Sequence, residues 1–545
     1  MNRRDFITRA VPFSVLPFVI GGFSLNAYAR SPLLEKLVNA ATDTDRVLVL
    51  IQLNGGNDGL NTVIPLDQYS ALSNARANIL IDAAKVLTLT NATGLHPAMK
   101  GMQGLYNDGK LAVVQSVGYP TPNFSHFRAT DIWLTGADSN QTLTTGWMGR
   151  YLSEEFPGFP TNFPNTAMPD PLAIQIGSVV TPGLQGNTIP MGMAIPNPQY
   201  FNYLVTGTPD PIPAGTPDRA AHELTFIRQV ALQTQTYAGV VKAAATKTKN
   251  LSSLYPTAGQ NSLADQLRIV ALLVAGGLQT RIYVVNIGGF DTHAQQVAAT
   301  GGTETGTHAT LLQKLSDAIT AFQDDLRLLG VDQRVLGMTF SEFGRRIKSN
   351  ASFGTDHGSA APLFLFGKGV NGGIVGSNPT IPTTVTVNDN IAMQYDFRSV
   401  YASVLKDWFG VPQSELDAVL KTVQYTSVNT LPLINTATSV QQTADVPNTF
   451  SLYQNYPNPF NPTTTIRFSL TPPLSRWERV SEGRVMVTLK VFDVLGREVA
   501  TLVDGELNAG EHSVVLDAKG LPSGIYFYQL RAAGFIQTKK MLITK

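Results

Sequence analysis

Four stretches of this chain are almost continuously apolar: Arg46–Leu53, Leu111–Val117, Arg281–Ile287 and Arg334–Phe340, with Leu363–Phe366 as a shorter fifth. Such runs lack the polar face of a half-exposed strand and suit strands buried on both faces, as in a parallel sheet. Between them the period changes. Leu263 to Leu278 is apolar nearly all round, which predicts a buried helix, and Leu311, Leu315, Ala318, Ile319, Phe322, Leu326 and Leu329 fall on one helical face. Strands alternating with helices predict an α/β domain over 31–424, a mostly parallel sheet with helices on both faces. Pro157 to Pro217 is rich in Pro and Gly and aperiodic, which predicts loops, short strands or a cap. Residues 425–449 carry Thr, Ser, Asn, Gln and Val without a period and read as a linker. From 450 onward, alternating runs such as Thr465–Leu470 and Val485–Val491 are punctuated by Gly496, Gly505, Gly510, Gly520 and Gly524. That pattern predicts a small antiparallel β-sandwich.

The N-terminus adds an address. Asn2-Arg3-Arg4-Asp5-Phe6-Ile7, an apolar stretch from Ala10 to Leu25 and Ala27-Tyr28-Ala29 follow the order of a signal peptide over 1–29. The paired arginines before Phe-Ile resemble a twin-arginine export signal. Pro12 and Pro17 interrupt the apolar stretch, which is shorter than the ~20 residues of a spanning helix. No later segment is long and apolar enough, so no transmembrane segment is expected in the mature chain. Charged residues make up 14% of the chain, the net charge is +1 and no basic stripe appears, which argues against nucleic acid as a partner. Cysteine is absent, which removes disulfides, thiolate metal sites and cysteine nucleophiles together.

Candidate chemistry gathers after the apolar runs. In open parallel sheets ligand sites lie at the carboxyl ends of strands. Here those ends read Asn54-Gly55-Gly56-Asn57-Asp58, Asn123-Phe124-Ser125-His126-Phe127-Arg128, Gly289-Phe290-Asp291-Thr292-His293 and Ser341-Glu342-Phe343-Gly344-Arg345, followed by Gly354-Thr355-Asp356-His357-Gly358. Carboxylates with imidazoles and no thiols suit zinc, manganese, calcium or another divalent ion. Each piece has an ordinary use as well: Asp58 and Ser125 can cap helices, and Glu342 can pair with a neighbouring arginine.

These motifs, in this order, resemble a family of uncharacterised twin-arginine-exported proteins related to the alkaline phosphatase and sulfatase superfamily. The resemblance runs from the signal to about Pro412 and implies an alkaline-phosphatase-like fold with up to two divalent metal ions. It further implies Asp58, Asp291, His293, Glu342, Asp356 and His357 as metal ligands, and Ser125 as nucleophile with His126 and Arg128 beside it, Arg128 contacting a phosphate or sulfate oxygen. The activity implied is hydrolysis of an anionic ester, with a polysaccharide among the candidate substrates; the alternative is a surface binding or structural protein that keeps the fold without turnover. Two departures stand out: Glu342-Phe343 occupies the place of an Asp-His pair, where either His357 or His308 could supply the absent imidazole, and the first metal motif is shortened to Asp291-x-His293. In the last hundred residues, Asn455-Tyr456-Pro457-Asn458-Pro459-Phe460-Asn461-Pro462, Phe492-Asp493-Val494-Leu495-Gly496 and Gly524-Ile525-Tyr526-Phe527-Tyr528 resemble the sorting domain of type IX secretion cargo, here over 450–545 with a charged insert at about 471–484. That resemblance implies the type IX machinery as a partner and, with the twin-arginine machinery implied by the signal, transit through the periplasm to the cell surface or beyond.

Overall fold

The computed structural model describes residues 45–198, 228 and 235–435, and within 451–544 all but 453, 456–457, 471–483, 509 and 533–534. The expected signal peptide, His222 and the expected insert up to residue 483 lie outside the described residues. Two compact units form, Met1–Asn435 and Thr436–Lys545.

The apolar runs of the first unit become the centre of a nine-stranded sheet. Its strands are β1 (Val47–Leu53), β2 (Leu111–Gly118), β3 (Ala173–Ile176), β4 (Met193–Ile195), β5 (Ile282–Ile287) and β6 (Val335–Phe340), then β9 (Ala361–Phe366), β10 (Gly373–Val375) and β11 (Tyr395–Asp396). Between β6 and β9 lies a separate hairpin, β7 (Arg345–Ser349) and β8 (Thr355–His357). The sheet order is β10-β2-β9-β6-β1-β5-β3-β4, with β11 beside β2. β1 shows why such strands read as unbroken apolar runs. Val47, Val49, Ile51 and Leu53 enter one core cluster, together with residues of the helices α2 (Ser262–Ala275) and α3 (Thr307–Leu328). Leu48 and Leu50 enter a second cluster. Alternate side chains of one strand thus serve two layers.

β1 pairs parallel with both β5 and β6, level at Leu53↔Ile287 and Gln52↔Phe340. Their exit loops therefore leave the sheet at one height, and β2 runs the same way. β9 is the exception. It pairs antiparallel with β2 and β6: the β7–β8 hairpin fills the connection from β6 and stays at the carboxyl edge, so the chain enters β9 from the end at which β6 leaves the sheet.

The Pro- and Gly-rich stretch supplies short strands, as expected: β3 and β4 extend the sheet at its edge. One expectation changes. The first part of the expected linker is not a linker: Tyr425, Val428, Leu433 and Ile434 are buried in the second cluster, because these apolar residues fall in the right places to cover it despite lacking a period. The second unit is an antiparallel sandwich, as expected. Thr463–Leu470 pairs with Ser451–Leu452 and Gly510–Asp517, and a four-stranded sheet has Arg484–Phe492 and Gly524–Ala532 at its centre. Ile466, Phe468, Leu489, Val491, Tyr528 and Leu530 fill the space between them. Among the described residues, no helix is long and apolar enough to cross a membrane.

Candidate metal centre

Four loops at the carboxyl edge build one site. After β1, Gly55 adopts a φ of 123°, and a Cβ there would lie 2.2 Å from the Asp291 amide, so the loops after β1 and β5 touch only because residue 55 has no side chain. After β2, the helix α1 (His126–Thr135) starts with His126 in its first turn. After β5 come Asp291 and His293, and after β6 come Glu342 and Arg345. The β7–β8 hairpin returns with Asp356 and His357.

Three imidazoles converge on the Asp291 carboxylate. His293 Nε2 and His357 Nε2 each lie 3.2 Å from Oδ1, and His126 Nε2 lies 3.4 Å from Oδ2. One ligand atom from each of His126, Asp291 and His357 falls within 4.8 Å of the others. The outer nitrogens are all occupied. His126 Nδ1 is 2.9 Å from Glu342 Oε1, His293 Nδ1 is 3.0 Å from Asp356 Oδ1, and His357 Nδ1 is 2.8 Å from the Phe124 carbonyl. A carbonyl can only accept, and a carboxylate accepts by preference, so each Nδ1 carries the ring proton and each Nε2 presents a lone pair inward. His293 Nε2 and His357 Nε2 are then 2.8 Å apart, lone pair to lone pair, and His126 Nε2 is buried without a hydrogen-bond partner. Such an arrangement asks for a cation, and imidazoles oriented from behind by carboxylates and a carbonyl are how metal-binding histidines are held. The residues therefore fit a metal ion.

Arg345 supplies the frame. Its guanidinium is fully buried and donates to Asp291 Oδ1 at 2.7 Å, to the carbonyls of Gly56, Thr355 and Phe290 at 2.7, 2.8 and 3.0 Å, and also to that of Gly55. Partial burial alone would raise the Asp291 pKa, but the hydrogen bond and the charge of Arg345 overcome it and hold the carboxyl at about 2. Burial is also the main reason the His357 pKa is lowered. The Asp356 carboxyl is held below its ordinary value: desolvation opposes this, and hydrogen bonds from His293 and Asn350 outweigh it.

The other expected site residues go elsewhere. Asp58 is buried, caps the short helix Gly59–Thr62 through the Leu60 amide, takes both oxygens to Arg76 Nη1 at 2.8 and 2.9 Å, and accepts from Gln296 at 2.6 Å. Its charge is fully engaged, so it does not join the cluster. Arg128 also turns aside, binding Asp131 and the carbonyls of Asp138, Ser139 and Gln141. Glu342 and Asp356 stand behind the imidazoles. Of the two candidates for the absent imidazole, His357 joins the cluster, while His308 is buried against Asn57 at 2.9 Å. Phe343 lies beneath the site, with ring centroids 4.9 Å from His126 and 4.5 Å from His357. Ser125 is exposed at the start of α1, and its side chain makes no capping hydrogen bond.

Residues 214–422 match the family described as "Protein of unknown function (DUF1501)", and residues 454–544 match "Secretion system C-terminal sorting domain". The chain joins a DUF1501 region to a secretion sorting domain. The DUF1501 match contains Asp291, His293, Glu342, Arg345, Asp356 and His357, while Ser125 and His126 come from the preceding part of the same unit. The sorting domain implies export through secretion machinery to the cell surface or outside the cell. A search of curated proteins returns no match. Among solved structures, one from Bacteroides thetaiotaomicron, described with a locus for metabolism of multiple glycosaminoglycans, overlaps at TM-score 0.32 and 11% identity over 85% of this chain and 89% of its own. A Pseudoalteromonas sulfatase overlaps at TM-score 0.31 and 10% identity over 89% and 86%. A phosphonate monoester hydrolase from Silicibacter pomeroyi overlaps at 0.28 and 12% over 91% and 88%. At these values the likeness carries no chemistry, which rests on the side chains just described.

Every imidazole of the cluster is a sequence candidate, although the sequence places His126 beside the nucleophile and not among the ligands, and gives Arg345 no role there as the frame. The signal was there in Arg345-Arg346 directly after Ser-Glu-Phe-Gly, yet nothing in a sequence says which of two adjacent arginines is buried.

Proposed function

We propose that this chain is an exported hydrolase of phosphate or sulfate esters that works with one divalent metal ion held by His126, His293, His357 and Asp291. The convergence of three inward Nε2 atoms on one carboxylate carries the reading. Charge supports a single ion: Asp291, Glu342 and Asp356 against Arg345 leave two negative charges on the centre from these four side chains. Three nitrogen donors suit zinc, and manganese less well, whereas calcium takes oxygen ligands. When bound, such an ion polarises an ester oxygen and favours an ionised nucleophile.

The protein's own groups do the rest. Ser125 is the nucleophile: its hydroxyl is not spent on the helix, and the start of α1 favours an approaching anion. Its Oγ bonds to phosphorus or sulfur as the ester oxygen leaves, and water then frees the serine. Glu342 and Asp356 hold the outer ring protons and so keep Nε2 open. Arg345 keeps Asp291 ionised and in place. The paired arginines Arg3 and Arg4 send the chain through the twin-arginine route to the periplasm, and the sorting domain takes it outward. The locked Arg128 favours a second reading, a metal-bearing surface binding protein without turnover.

Metal content of the purified full chain, measured by mass spectrometry, tests the first step. About one zinc per chain is expected, falling to near zero in His293→Ala. No bound metal after incubation with zinc or manganese overturns the reading. Ser125→Ala should keep the metal and lose turnover of aryl phosphates and sulfates by roughly 10³-fold or more. Metal without turnover of any ester in the wild type selects the binding reading.

A further inference from the structure

Among the described residues two phenylalanines are strongly exposed, Phe127 at 91% and Phe353 at 42%. Both lie on segments that build the metal centre. Phe127 directly follows His126 in the first turn of α1. Phe353 precedes Gly354, where a Cβ would lie 2.4 Å from the His293 carbonyl, and the Phe353 carbonyl accepts from the Gln296 amide at 2.9 Å. A single exposed apolar side chain is ordinary. Phe353 is not ordinary, because its φ is 57°, in the left-handed region where glycine or asparagine usually stands. The loop thus keeps a bulky ring in an unfavourable backbone state and leaves much of it in water, and neither feature helps the fold. Local costs of this kind collect at functional sites. Phe124 provides the contrast: its carbonyl holds His357, and its ring is already covered by Arg346 at 4.9 Å.

We infer that Phe127 and Phe353 are specificity-determining residues, apolar walls of a subsite beside the metal centre that receives the ring of an anionic ester. The inference rests on the ester reading above and narrows its substrate class. A flat aromatic wall takes either an aryl group or the apolar face of a pyranose, and a short alkyl group gains little from it.

The test uses the zinc-loaded full chain and calorimetric titration with three unreactive anions: methylphosphonate, phenylphosphonate and a pyranosyl phosphonate. At least one ring-bearing anion should bind roughly tenfold tighter than methylphosphonate, from the apolar area it covers. The tighter ring identifies aryl or sugar. Phe127→Ala and Phe353→Ala should each reduce that preference several-fold with zinc content unchanged. Phe353→Gly, which relieves the backbone, should keep or raise Tm while losing the same preference, so a folding defect cannot mimic the result. Equal binding of all three anions overturns the subsite and leaves the ester reading standing. Zinc binding without binding of any anion overturns the ester reading and the subsite with it. A ring preference that survives all the substitutions overturns the assignment to these two residues.

Discussion

Asp58 and Asp291 show how neighbours decide what a carboxylate does. Both follow a buried strand and a glycine-containing turn, and in sequence they are equivalent candidates. Arg76 takes both oxygens of Asp58 inside the protein, whereas Arg345 takes one oxygen of Asp291 and leaves the carboxylate facing imidazoles. Asp58→Asn should therefore cost about 3–5 kcal/mol, since it leaves a buried guanidinium unpaired, and should leave zinc content at its wild-type value; denaturant titration with metal analysis checks both, and lost zinc would return Asp58 to the ligand set. This distinction was not legible beforehand, because Arg76 and Gln296 lie far from Asp58 along the chain and only the fold brings them together. His308 gives a pH dependence. Burial holds its pKa down at about 4, against ~6.5 in an unfolded chain. Between those values the unfolded chain binds the extra proton and the folded one does not, so this contribution is fully present above pH about 6.5 and is lost as pH falls toward 4. His308→Gln should flatten that part of the stability profile. An unchanged slope between pH 6.5 and 4 would remove His308 as its source.

At the scale of elements, the site depends on loops that touch without side chains between them. Gly55 is the sharpest case, with its positive φ and the Asp291 amide where a Cβ would go. Gly55→Ala should weaken zinc binding at least tenfold and destabilise the fold by about 1–3 kcal/mol, the usual range for a backbone forced apart. Gly104, in the helix Lys100–Asn107, has nothing within 4 Å of an added Cβ, so Gly104→Ala is the matched control and should be neutral or stabilising by up to about 1 kcal/mol. Equal zinc affinity in both variants would detach the Gly55 loop from the site. The strands that position these loops were largely legible, because a strand buried on both faces leaves an unbroken apolar run, as β1, β2, β5 and β6 do. The reversed direction of β9 was not, since Leu363–Phe366 reads alike whichever way it runs. The β7–β8 hairpin decides it, by holding the chain at the carboxyl edge between β6 and β9.

For the whole molecule, the question is where the first unit ends. The DUF1501 match stops at 422, and the composition after 424 looks like a linker, yet packing continues to Asn435. Leu433 is fully buried, the Asn371 amide donates to its carbonyl at 2.9 Å, and the Asn435 amide donates to the Gly369 carbonyl at 2.8 Å. The Leu431 amide donates to Ser403 Oγ at 2.7 Å. Removing this segment uncovers the second cluster where Tyr425, Val428 and Ile434 close it. Losing the burial of Leu433 alone would cost about 1.5–3 kcal/mol, which for a unit of this size is a fall of at least a few degrees in Tm. A chain ending at Asn435 should keep full zinc content and the Tm of the first transition of the intact protein, because the second unit fills its own core. A chain ending at 424 should melt lower and aggregate more readily. Equal melting of the two truncations would mean that the segment only rests on the surface and that the linker begins where the sequence first indicates it.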